Sequence, residues 1–187
     1  MTRVFFDNAA TTPIHPEVVT VMTKCLSDVY GNPSSTHSYG REAKGQLEES
    51  RRSIAKLLGA KPSEIFFTSC GTESNNTILR SAVRNAEISE IWTTPIEHPS
   101  IFQTSQHICS DIPIRYLELN PNGSVTLDSL EKALIAANKK VLVSVMHANN
   151  EVGVLNDLTS ISELCQKYHA LLHSDMVQTM GHLPINF

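Results

Sequence analysis

Two rhythms of apolar and polar positions run along this chain, one helical and one strand-like. After Pro16, which suits a first helical turn, Val18, Val19, Met22, Cys25, Leu26 and Val29 fall on one face and predict a helix ending near Tyr30-Gly31. A longer amphipathic helix is predicted from Ser38 to Leu58, with Ala43, Leu47, Ile54, Leu57 and Leu58 inward and Arg41, Glu48, Glu49, Arg51 and Arg52 outward. Gly59 closes it as a C-cap. Short apolar runs predict strands at Val4-Phe5-Phe6, Ile65-Phe66-Phe67, Ile91-Trp92-Thr93-Thr94, Ile114-Arg115-Tyr116-Leu117, 141–146 and 170–174. Helical patterns over 75–85, 100–109, 127–137 and 158–168 lie between the later ones, and Asn120-Pro121-Asn122-Gly123 reads as a turn.

Regular alternation of strand and helix requires crossover connections. The expected fold class is therefore α/β, a mostly parallel sheet with helices on both faces, in which ligands sit beyond the carboxyl ends of the strands. With 187 residues and 41% hydrophobic content, one large domain spanning 1–187 is the expected organisation. A net charge of −4 and no Lys/Arg-rich block give no footprint for nucleic acid or an anionic membrane, so neither is an expected partner. No signal-peptide h-region and no apolar run of spanning length are present, and the four cysteines form neither a disulfide framework nor a zinc knuckle. The expected setting is reducing and cytoplasmic, with no metal site; a zinc site from His147, Glu151, His173 and Asp175 matches no common ligand spacing.

The stretch Thr68-Ser69-Cys70-Gly71-Thr72-Glu73-Ser74 joins a predicted strand to a predicted helix. Such a junction aims unpaired N–H groups, the positive end of the helix dipole and hydroxyls at one point, which suits a phosphate. Glu97-His98, His147-Ala148-Asn149-Asn150-Glu151, and Asp175 with Gln178 also follow apolar runs, so the sheet brings them to the same edge. A phosphate cup, an imidazole to lie on a flat ring, amides for a ring oxygen and a carboxylate for a cationic ring nitrogen together suit pyridoxal phosphate. Among the histidines, His147 and His173 read either as core residues at strand ends or as functional ones, and His15, His107, His169 and His182 as surface or capping residues. Cys25, Cys109 and Cys165 read as structural, and Cys70 as a variant of the turn.

These blocks occur in order with Asp7-Asn8-Ala9-Ala10-Thr11-Thr12-Pro13, Gly31-Asn32-Pro33-Ser34-Ser35-Thr36-His37 and Met146-His147-Ala148-Asn149-Asn150-Glu151-Val152-Gly153. Together they resemble the cysteine desulfurases of iron–sulfur cluster or nitrogenase assembly, in the class V aminotransferase group of fold type I pyridoxal-phosphate enzymes. The resemblance implies that Gly71 and Thr72 hold the phosphate of pyridoxal 5'-phosphate. It implies that His98, the catalytic candidate, stacks on the ring, that Asn150 and Gln178 bond near the phenolic oxygen, and that Asp175 pairs with the pyridinium. Asn32 and His37 belong to the loop that would border the substrate entrance. The implied reaction takes sulfur from L-cysteine onto an enzyme cysteine and leaves alanine, for delivery to a sulfur-acceptor or scaffold protein, in a homodimer. Selenocysteine lyases and other class V lyases share these motifs. By the same resemblance the Schiff-base lysine, the acceptor cysteine, the substrate-binding arginine and the small C-terminal domain fall beyond Phe187. The chain is then expected to be the N-terminal portion of the large domain, inactive alone, or else a non-catalytic fragment or scaffold.

Overall fold

The elements in chain order are helix α1 (Pro16–Asp28), helix α2 (Ser38–Leu58), helix α3 (Gly71–Asn85), strand β1 (Glu90–Thr93), helix α4 (Pro99–Ile108), strand β2 (Ile114–Tyr116), helix α5 (Leu127–Ile135), strand β3 (Val141–Ser144), helix α6 (Leu158–Lys167) and strand β4 (Leu171–His173). They come from a computed structural model that describes residues 3–108 and 111–185. Two compact units divide the chain, one of Thr68–Leu183 and one of Met1–Phe67 with Pro184–Phe187. Cys109 lies outside the described residues.

In the smaller unit, helix starts and stops follow from side-chain chemistry. His15 caps α1 by accepting the Glu17 N–H at 3.3 Å, and His37 caps α2 by accepting the Gly40 N–H at 3.3 Å. Gly59 ends α2 in the left-handed conformation at φ 67°, donating its N–H to the Ala55 and Lys56 carbonyls. Two strand predictions fail here. Residues 4–6 and 65–67 join no ladder among the described residues, although Ile65 has extended backbone. A strand exists only when a neighbour pairs with it, and the Ile65 carbonyl instead accepts from the Arg51 guanidinium, which also lies 4.9 Å over the Phe67 ring. The inward assignments also need correction. Helix α1 buries none of its residues and Leu57 is 83% exposed, because an apolar stripe specifies a face that favours cover without supplying the element that covers it.

The larger unit holds one sheet in the order β2-β1-β3-β4, parallel at every junction. Successive side chains point to opposite faces, and the two cores divide accordingly. Trp92, Val141, Val143 and Val145 pack with Leu130, Ala133, Leu134, Ile161 and Cys165 from α5 and α6. Ile91 and Leu142 pack on the other face with Leu79, Ala82 and Ile101 from α3 and α4. Each fully buried aliphatic side chain contributes roughly 1.5–3 kcal/mol. The chain thus runs from β1 outward to β2, then returns past β1 to β3 with its helices on the opposite face. The loops after β1 and β3 leave the carboxyl edge of the sheet next to each other at that reversal, the place where open α/β sheets bind ligands.

Candidate functional site

Helix α3 begins at this edge. Its N-cap, Cys70, makes no side-chain capping bond, and the first N–H groups of the helix point out of its end. Glu73 stabilises the turn by accepting from the Ser69 N–H at 2.7 Å and hydroxyl at 2.6 Å, and the Thr68 and Ser74 hydroxyls lie 2.7 Å apart. The cup favours negative charge. The Glu73 N–H, the Ser69 hydroxyl and the Thr72 donors hold the exposed Cys70 thiol below the usual thiol range. A Cβ at Gly71 would lie 3.0 Å from a Val177 methyl, so glycine lets the loop after β4 close against the helix start.

That loop carries Asp175, which is 6% exposed. Its Oδ1 accepts the Val177 N–H at 3.0 Å, and its Oδ2 accepts from the Asn75 side-chain amide at 2.9 Å. The same amide donates to the Ser100 hydroxyl at 2.9 Å. Ser100 in turn meets His98 twice, its Oγ at 2.7 Å and its N–H at 3.1 Å from Nδ1. His98 and Asp175, which the sequence pattern places at one edge, are thus joined through Ser100 and through Asn75, the residue of α3 that follows the cup. These two connecting residues were not among the predicted site residues. A signal for Asn75 was present: it shares the buried stripe of α3 with Leu79 and Ala82, and a polar side chain there requires partners.

The loops after β1 and β3 are clamped by Glu97, whose Oε1 accepts the Met146 N–H at 2.9 Å and the Thr94 hydroxyl at 2.7 Å. Its Oε2 is buried with no hydrogen-bond partner among the described residues. Burial raises the Glu97 carboxyl to about 7, with the charge of Asp175 adding to the effect and the Met146 and Thr94 bonds opposing it. A folded pKa above the unfolded value gives stability that is complete below about pH 4.5 and lost as pH rises through 7. The loss from such a shift is roughly 3 kcal/mol. Denaturant unfolding between pH 4.5 and 8 is expected to show it in the wild type and not in Glu97→Gln; parallel profiles for the two proteins would contradict the assignment.

The remaining sequence assignments sort by their bonds. Asn149, buried, accepts the Glu151 and Val152 N–H groups at 2.8 and 2.9 Å and so builds the loop, whereas half-exposed Asn150 bonds its neighbour Glu151 at 2.9 Å. Gln178 is half-buried in the turn after Asp175. His147 meets the Thr179 hydroxyl at 2.9 Å and His173 meets the Ser144 hydroxyl at 2.9 Å, which gives both the bonds of core histidines. The His173 ring is crowded by protein although the residue keeps some solvent contact, and this lowers its pKa to about 4. Cys165 is buried in the core and its thiol is pushed up to about 11. Asn32 and His37 lie in the smaller unit, both exposed; Asn32 Oδ1 accepts the Ser34 N–H at 2.9 Å, and the His37 Nδ1 serves the α2 cap.

A parallel α/β sheet thus carries a helix start, a buried carboxylate and an exposed imidazole at its carboxyl edge. The class-V aminotransferase family model matches residues 4–187, and the chain belongs to that family. Members of the family depend on pyridoxal phosphate. The chain is 40% identical over 187 residues to a protein named cysteine desulfurase IscS of Dictyoglomus turgidum, a match covering 98% of this chain and 47% of that protein. It is 39% identical to a putative cysteine desulfurase IscS 1 of Bacillus subtilis, covering 100% of this chain and 49% of the other. A solved structure described as a NifS-like protein superposes with a TM-score of 0.90 at 39% identity, covering 100% of this chain and 52% of that one. Another, SspA in complex with cysteine, gives 0.88 at 30% identity over 97% of this chain and 53% of that one. The chain spans about half the length of the curated relatives it matches. Among the described residues, no helix is long and apolar enough to cross a membrane.

Proposed function

We propose that this chain is the cofactor-binding portion of a pyridoxal-phosphate-dependent cysteine desulfurase that removes sulfur from L-cysteine and leaves alanine. The observation that carries this reading is the link from Asp175 through the Asn75 amide and Ser100 to His98, made by the helix that begins at the cup. The donor set fits the cofactor. Gly71 and Thr72 offer N–H groups and a hydroxyl to the phosphate at the positive end of the α3 dipole. His98 offers an exposed ring to stack, Asp175 a fixed carboxylate for the ring nitrogen, and Asn150 and Gln178 their amides near the phenolic oxygen. Asn32 and His37 would border the substrate.

When bound, pyridoxal phosphate supplies an electron sink for bonds broken at the substrate α-carbon. The part of Asp175 is to keep a proton on the ring nitrogen, since a carboxylate held by two hydrogen bonds favours a cation beside it. The part of His98 is to hold the ring's orientation. The proposed substrate agrees with the relatives named cysteine desulfurase and with the neighbour solved in complex with cysteine. A cytoplasmic homodimer handing sulfur to an acceptor or scaffold protein belongs to the same reading. Titration with pyridoxal phosphate, followed by absorbance, is expected to show saturable binding, and the full-length protein to release alanine from L-cysteine. A full-length protein that fails to bind the cofactor overturns the proposal, and product comparison with selenocysteine separates desulfurase from lyase.

A further inference from the structure

Asn75 is 5% exposed and Ser100 is 7% exposed, so every polar atom they carry is a directed choice of partner. An amide nitrogen has two hydrogens, and here each is assigned: one to Asp175 Oδ2 and one to Ser100 Oγ, both at 2.9 Å. The Ser100 hydroxyl, which accepts from Asn75, lies 2.7 Å from His98 Nδ1. The Ser100 N–H points at the same nitrogen from 3.1 Å. A backbone N–H can only donate, so Nδ1 accepts, the hydroxyl donates to it as well, and the ring carries its hydrogen on Nε2. Both bonds hold that one ring atom, from two directions.

We infer that Asn75 and Ser100 are positioning residues, one amide and one hydroxyl that set together the carboxylate Asp175 and the tautomer of His98. This rests on the pyridoxal-phosphate reading, in which Asp175 meets the edge of the cofactor ring and His98 its face. A ring gripped at edge and face needs those two groups at a fixed offset, and the Asn75 amide spans them across α3, the loop after β1 and the loop after β4. The phosphate cup does not use this network.

The test has a cofactor-free arm and a cofactor arm. Side-chain 15N shifts of His98, assigned by their loss in His98→Gln, are expected to report the Nε2–H tautomer in the wild type. Ser100→Ala is expected to mix the tautomers and Ser100→Thr to restore the wild-type pattern. In the full-length protein, Asn75→Ala is expected to weaken pyridoxal phosphate binding roughly ten- to a hundredfold, the effect of removing a hydrogen bond to a charged group. Affinity for inorganic phosphate is expected to stay unchanged in that variant, which shows that the cup remains folded. An Nδ1–H tautomer in the wild type overturns the inference, as does Asn75→Ala binding the cofactor as tightly as the wild type. Equal weakening toward inorganic phosphate also overturns it, by showing a general structural role. A wild type that binds no pyridoxal phosphate overturns the functional reading itself, an outcome distinct from these three.

Discussion

Asp175→Asn in the full-length protein is expected to lower kcat by on the order of 10²–10³-fold, the cost of removing one preorganised electrostatic group. The carboxylate is buried and receives two hydrogen bonds, from the Val177 N–H and the Asn75 amide. Asparagine preserves the shape, but it has one acceptor oxygen for two donors and turns an NH₂ toward one of them. It also removes the charge that would keep a proton on the cofactor ring nitrogen. Pyridoxal phosphate is therefore expected to bind Asp175→Asn through its phosphate while turnover fails, a split that absorbance titration and alanine release measure together. A second consequence is independent of turnover. The charge of Asp175 helps to raise the Glu97 carboxyl, so its removal is expected to move the Glu97-linked loss of stability to lower pH. Wild-type kcat in Asp175→Asn would remove Asp175 from the proposed mechanism.

Gly40→Ala is expected to destabilise the smaller unit by about 3 kcal/mol, at the upper end of overpacking effects. Gly40 is buried in the first turn of α2, and a Cβ there would lie 2.4 Å from the Ser35 carbonyl oxygen and 2.7 Å from that of Asn32. Both obstacles are backbone, which no rotamer change relieves. From the other side, a Cβ on Gly31 would lie 2.2 Å from the Tyr39 carbonyl oxygen. The 31–37 loop thus folds directly onto the start of α2, with Tyr30 and Tyr39 stacked at 5.5 Å beside it. Gly45 supplies the control in the same helix: nothing lies within 4 Å of its Cβ position, so Gly45→Ala is expected to stabilise by about 1 kcal/mol. Denaturant unfolding distinguishes the two, and equal effects from both substitutions would show that the loop does not depend on the close approach.

Legibility varied with the range of the forces involved. Helix α2 runs over Ser38–Leu58 with Gly59 as its left-handed cap, as its local pattern predicts, because period, propensity and capping act within a few residues. The alternation of strand and helix was equally plain, although the strands at β1, β2, β3 and β4 are shorter at their carboxyl ends than the apolar runs that suggested them. The residues trimmed from those ends, Thr94, Leu117, Val145, Met146 and Ser174, lead into the loops that carry the candidate site. Residues 4–6 and 65–67 form no strand for a different reason: β-propensity favours an extended backbone but cannot supply a partner strand.

By itself the sequence determined the α/β class, the bounds of α2, the presence of a helix start after Thr68 and the residue types delivered to the strand ends. Those properties depend on neighbours in the chain. Only the tertiary structure decided the strand order β2-β1-β3-β4, and with it which loops meet at the carboxyl edge of the sheet. It also decided that Asn75 would bond Asp175, one hundred positions away, and that Glu97 would clamp Met146. A buried amide or carboxylate must find a partner, but which partner depends on which chain segments the packed sheet brings within about 3 Å.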